Sequence, residues 1–153
     1  MMPQIIENYS QCGVKVGKVV KRILKYAPPN SIEGLNEVLI LDGDPQGKAF
    51  ACYERNARRI ILYLDEIIGW QPWLLKKSYI FPYLSIGIAL GHEIDHHVNR
   101  NQNSIDKEKS AESNILKYIY PSFGIFKPLF LISNFVLKPL HRIFDSLSRH
   151  ISR

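Results

Sequence analysis

Cysteine is scarce in this chain: two residues in 153, Cys12 and Cys52, far apart and in unlike contexts. Neither has a metal-ligating neighbour in sequence, so nothing supports a disulfide framework, and Cys52, inside an apparent strand, reads as a small core residue. The N-terminus, Met1 to Glu7, has no basic region followed by an apolar core, so nothing marks a secretory leader. No apolar run reaches the roughly 20 residues that a membrane span needs. The nearest, Phe123 to Leu137, is broken by Lys127 and Pro128. Low-complexity tracts are missing too, and 46% hydrophobic with 22% charged residues is ordinary for a globular protein.

What is present is enough chain for a single domain over residues 1–153, able to bury a core unaided. A cytoplasmic location is expected, with a peripheral membrane contact left open. The net charge of +6 is uneven. Residues 1–30 carry five basic and one acidic side chain (+4), residues 31–100 seven and nine (−2), and residues 101–153 eight and four (+4). These cations are scattered along helices rather than massed with stacking aromatics, so no specific nucleic-acid partner is expected.

Val16, Val19, Val20, Ile23 and Leu24 form one stripe of an amphipathic helix that stops before Pro28 and Pro29. Glu37 to Leu41 reads as a strand, followed by the turn Asp42 to Gly47. Ala49 to Tyr53 and Arg59 to Leu64 flank the polar Glu54 to Arg58 as a hairpin. A short helix or loop carrying Trp70 and Trp73 then leads to an uncharged run, Pro82 to Gly91, which predicts a buried helix.

That helix carries His92-Glu93-Ile94-Asp95-His96-His97. Residues four apart stand one turn above each other, so the imidazoles of His92 and His96 can converge on one ion, and neutral imidazole suits zinc. Glu93 stands beside the ion, where it can take a proton from an activated water. His-Glu-x-x-His on a helix is the pattern of a zinc hydrolase centre. His97 lies about 100° around the helix from His96 and reads as flanking; Asp95 receives no role. A catalytic zinc has three protein ligands, and the third is sought in a second helix, capped by Ser104, on which Glu108 and Glu112 again stand one turn apart.

His-Glu-x-x-His followed by Glu108-Lys109-Ser110-Ala111-Glu112 resembles the gluzincin metallopeptidases, and the short chain is similar to the minigluzincins among them. The resemblance implies Glu108 as third zinc ligand and Glu112 as the carboxylate holding a ligand histidine. Most relatives have Asp or Asn at the latter place, so exchanged roles, with Glu112 as the ligand, stay open. It also implies an α+β zincin-like fold: an N-terminal backing helix, a small, mostly three-stranded sheet, the active-site helix, the glutamate helix and a helical C-terminal part. The arrangement covers roughly residues 12 to 120, with an upper subdomain to about 101 and a lower one over 102–153. In that family an edge strand aligns the peptide substrate, for which Ala49, Phe50 and Ala51 are the local candidates.

The expectation is therefore a zinc metallopeptidase acting on peptide or protein, with Glu93 as general base. The alternative is a silent or latent zincin-fold binding module, membrane-associated through its C-terminal third. Phe123 to Leu137 closes the lower half of the cleft or contacts a membrane or partner. Pro139 to Arg153 reads as an amphipathic helix that packs on its own domain, another subunit or a bilayer. Self-association is thus also open. His141, Tyr118 and Tyr120 are chemically able to stabilise an oxyanion, with none preferred.

Overall fold

The structure, a computed structural model, describes residues 2–10, 13–47, 49–69, 71, 78, 80–100 and 104–126, without the side chains of residues 104–109, 112, 116, 123, 125 and 126. Strand β1 (Gln4–Asn8) leads into helix α1 (Val16–Tyr26) and, after a 3-10 turn (Pro29–Ser31), into β2 (Glu37–Leu41). The hairpin β3 (Ala51–Glu54) and β4 (Arg59–Tyr63) follows, then the short α2 (Leu64–Ile68), α3 (Ile80–Val98) and α4 (Ser104–Ile119). A 3-10 stretch, Tyr120–Phe126, is interrupted at Gly124. The fold is α+β.

The sheet has four strands in the order β1-β2-β4-β3, one more than the three expected. The addition is β1, which pairs with β2 in parallel, Ile5 against Val38 and Glu7 against Ile40. Parallel neighbours need a crossover, and α1 supplies it. β2 and β4 are also parallel, whereas β3 runs antiparallel to β4 and forms the far edge.

Helix α1 buries Val16, Val19, Val20, Ile23 and Leu24, the whole expected stripe. Each such side chain contributes about 1.5–3 kcal/mol when removed from water. No side chain of its own first turn is acidic; instead the Glu7 carboxylate of β1 accepts from the Gly17 N–H at 3.3 Å. That places negative charge at the positive end of the helix. A Cβ at position 17 would run into this carboxylate, so any side chain there would oblige Glu7 to move off the helix terminus.

Val38 and Ile40 stand beside Ile60 and Leu62, and all four are fully buried. Tyr53 pairs with Ile60 and so projects from the same face, where its hydroxyl meets His97 of α3. The helices therefore cover this face of the sheet. Cys52, on the other face, is half-buried, with Sγ 3.9 Å from the Tyr63 hydroxyl, and burial raises its thiol pKa.

Helix α3 is buried almost all round, and burial continues past the polar motif through Glu93, Ile94, Asp95 and His97. Helix α4 packs on it in antiparallel sense: Gly87 and Gly91 lie against Ile119 and Ile115, and Asn99 reaches Ser110. The chain divides into a compact unit of residues 1–122, which includes α4, and a second of residues 123–153. Among the described residues no helix is long and apolar enough to cross a membrane.

Candidate metal centre

The motif falls in the second half of α3, where 3.6-residue periodicity brings His92 and His96 to one side. Their rings meet edge to face, and the two Nε2 atoms lie 3.0 Å apart. Two zinc–nitrogen bonds of about 2.0–2.1 Å at a tetrahedral angle put the nitrogens roughly 3.3 Å apart. The pair therefore fits one ion after a movement of a few tenths of an ångström. His92, Glu93 and His96 offer ligand atoms within 4.8 Å of one another. Glu93 is 6% exposed, yet it lines a cleft of about 260 Å³ together with His96, Tyr53, Arg55 and Arg100. A histidine pair with a carboxylate within ligand reach can hold a divalent cation and move a proton beside it.

Helix α4 carries Glu108 and Glu112, whose side chains lie outside the described residues. By position they continue the i, i+4, i+7 stripe that holds Ile115 and Ile119, the residues against Gly91. Trp70, Trp73, His141 and the segments Lys127 to Leu137 and Pro139 to Arg153 also lie outside the description.

Asp95, unassigned in the sequence, joins the two helices. It is fully buried and accepts from Nδ2 of Asn99 (2.7 Å), Nδ2 of Asn114 (3.1 Å) and the hydroxyl of Tyr118 (2.8 Å). Ser110 Oγ accepts from the same two amides, at 3.0 Å each. A buried carboxylate with three donors has its hydrogen-bonding capacity met. Tyr118 is thereby committed: its hydroxyl is buried on Asp95, which removes it from the expected oxyanion candidates. Tyr120 is half-buried at the head of the following 3-10 stretch.

His97 is more than flanking. At 1% exposed, its Nε2–H donates to the Glu33 carbonyl at 2.9 Å, and its Nδ1 accepts from the Tyr53 hydroxyl at 2.9 Å. The carbonyl can only accept, so it fixes the tautomer. Burial lowers the His97 pKa, partly offset by the Glu33 carbonyl and reinforced by Arg100 and Arg58. The ring thus ties α3 to the edge strand and to the loop before β2. Asp95 and His97 lie within the motif itself, but their partners are 15 or more residues away along the chain, Asn99 apart, so spacing gave no sign of their roles.

Of the edge-strand candidates, Ala51 opens β3, while Ala49 and Phe50 precede it. The Ala49 N–H donates to Asp44 and the Phe50 carbonyl accepts from Tyr63; the Phe50 ring is 56% exposed. No family model matches this chain, and no curated protein or solved structure compared with it does so either.

Proposed function

We propose that this chain is a zinc-dependent metallopeptidase with Glu93 as its general base. The observation that carries the reading is the 3.0 Å approach of the His92 and His96 Nε2 atoms, with a Glu93 carboxylate oxygen within 4.8 Å of the ligand atoms of both. His92 and His96 would hold the ion, with Glu108 from α4 as the third ligand. When bound, the ion supplies acidification of a water and polarisation of a carbonyl. Glu93 then accepts the proton of the attacking water and passes it to the leaving amine. Its low exposure holds it in place, so little reorganisation accompanies the transfer. The edge position of β3 supports an extended peptide as substrate, held by strand addition.

The test is elemental analysis of wild type, Glu93→Gln, His96→Ala and Glu108→Ala, in parallel with cleavage of casein and quenched peptides. Equimolar zinc is expected in wild type and Glu93→Gln, with cleavage by wild type alone and metal lost from the other two. Wild-type protein that stays metal-free after zinc reconstitution would overturn the reading, and full zinc in Glu108→Ala would remove that residue from the ligand set.

A further inference from the structure

We propose that the outward face of α1 is a docking surface for an anionic lipid bilayer. The inference goes beyond the metal centre and does not rest on the peptidase reading.

Residues Val14 to Tyr26 hold five cations, Lys15, Lys18, Lys21, Arg22 and Lys25, and no acidic residue. At about 100° per residue the five fall within an arc of roughly 120°, on the side of the helix away from the Val16 to Leu24 stripe. All five are exposed, whereas the stripe is buried. With a rise of about 1.5 Å per residue the cationic face is roughly 15 Å long.

Helix stability gives no reason for this pattern. Lys15 at the N-cap and Lys18 in the first turn stand at the positive end of the helix dipole, where cations are unfavourable. Lys18 neighbours Lys15, Lys21 and Arg22 at spacings of three or four, and Lys25 neighbours Lys21 and Arg22, so like charges repel along the whole face. Glu7 of β1 is engaged by the Gly17 N–H and the Tyr9 hydroxyl. Among the described residues no carboxylate forms an ion pair with any of the five; the ion pairs there are those of Arg59. An external anionic surface relieves this repulsion, and each Lys or Arg brought to such a bilayer contributes about fivefold in affinity.

Two observations favour lipid over nucleic acid. Tyr26, 49% exposed with Lys25 Nζ 5.8 Å from its ring centroid, borders the cationic arc at the end of the helix. A lone tyrosine suits the headgroup layer, and it is not the series of stacking rings that a single strand uses. Arg22 Nε donates to the Ser122 carbonyl at 2.9 Å. Ser122 ends the first compact unit, so the chain leaves that unit beside a cation of this face. In sequence it then runs directly into Phe123 to Leu137, ten of whose fifteen residues are aliphatic or aromatic. A polybasic patch followed by an apolar run supplies the two signals that together hold a protein at a bilayer, and the second has no counterpart in binding to phosphates alone.

Full-length protein is sedimented at low and high salt with vesicles of phosphatidylcholine, alone or with about one-third phosphatidylserine. Pelleting with the serine lipid only, weakened by salt, is expected. The triple variant Lys18→Gln, Lys21→Gln, Lys25→Gln should bind about a hundredfold more weakly. Its urea midpoint should equal or exceed that of wild type, because repulsion is removed, so lost binding is not lost folding. Lys117→Gln, which removes an exposed cation of α4, should bind within about twofold of wild type. Equal pelleting with both vesicles, pelleting with neither, or undiminished binding by the triple variant would overturn the inference. Duplex DNA and single-stranded RNA are titrated in parallel. Binding of either that outlasts vesicle binding as salt rises, and that the triple variant loses, would assign the face to nucleic acid and overturn it too. Metal-free and zinc-loaded protein should pellet alike, so failure here leaves the peptidase reading untouched.

Discussion

The Tyr118 hydroxyl of α4 donates to Asp95 Oδ1 of α3 across 2.8 Å in the protein interior. It is one of three donors on a carboxylate that ties α3 to the glutamate-bearing helix. Removing the hydroxyl leaves a charged acceptor short of a partner, so Tyr118→Phe should cost about 1.5–3 kcal/mol. Asp95→Ala strands three donors and should cost about 3–5 kcal/mol. Because the two residues share one interaction, the double variant should cost less than the sum by about 1 kcal/mol or more. Urea unfolding of the four proteins measures this, and strict additivity would count against the clasp.

Alkaline pH reads the same contact. Burial first, and the Asp95 hydrogen bond second, push the Tyr118 pKa up. Burial and the Cys52 contact push Tyr63 to about 12. Unfolded tyrosine titrates near 10. The native state therefore keeps protons that the unfolded state has lost, and the stability these groups confer is complete below pH 10 and disappears as pH rises through the folded values. The slope is on the order of 1.4 kcal/mol per pH unit for each tyrosine. Tyr118→Phe and Tyr63→Phe should each flatten the decline of urea midpoints between pH 9.5 and 11.5; an unchanged slope in both would show that neither proton is held by folding.

The helices approach closely at Gly91, where an added Cβ would lie 3.2 Å from both the Ile115 carbonyl and Ile119 Cγ2. Alanine gains about 1 kcal/mol of helix propensity and gives back a similar amount in that contact, so Gly91→Ala should stay within about 1 kcal/mol of wild type. Valine is branched at Cβ and should cost about 2 kcal/mol or more, prising α4 from α3. If α4 supplies a ligand, Gly91→Val should also weaken zinc in chelator competition. Wild-type stability in Gly91→Val would refute the close approach.

How much of this was legible depends on how local the signal is. The α1 stripe, β2 and the hairpin rest on periodicity and turn residues, and they appear where expected, except that the first hairpin strand begins at Ala51 and takes in Glu54. β1 does not: Ile5 and Ile6 lie among polar residues, and only the parallel ladder with β2, more than 30 residues away, makes them a strand. The His92–His96 approach follows from helical spacing alone. The roles of Asp95 and His97 do not, because they are defined by Asn114, Tyr118, Tyr53 and the Glu33 carbonyl, which tertiary packing delivers. His97 stands about 100° around the helix from His96. That rotation is what turns it away from the histidine pair and toward the sheet.

The Tyr53–His97 contact makes the last expectation specific. Tyr53 belongs to the edge strand and lines the cleft, while His97 follows His96 on the helix. Tyr53→Phe keeps the ring and deletes the donor, leaving His97 Nδ1 buried without its hydroxyl, at a cost of about 1–3 kcal/mol. Neither residue stands at the histidine pair, whose Nε2 atoms are set by the helix backbone. Zinc affinity in chelator competition should therefore stay within about threefold of wild type, since the spacing of the pair is fixed within α3 itself. Peptide affinity should fall more, because β3 is the strand on which an extended substrate would lie. A Tyr53→Phe protein that loses zinc as completely as His96→Ala would show the opposite: that the tyrosine, through His97, holds the ligand histidines themselves in register.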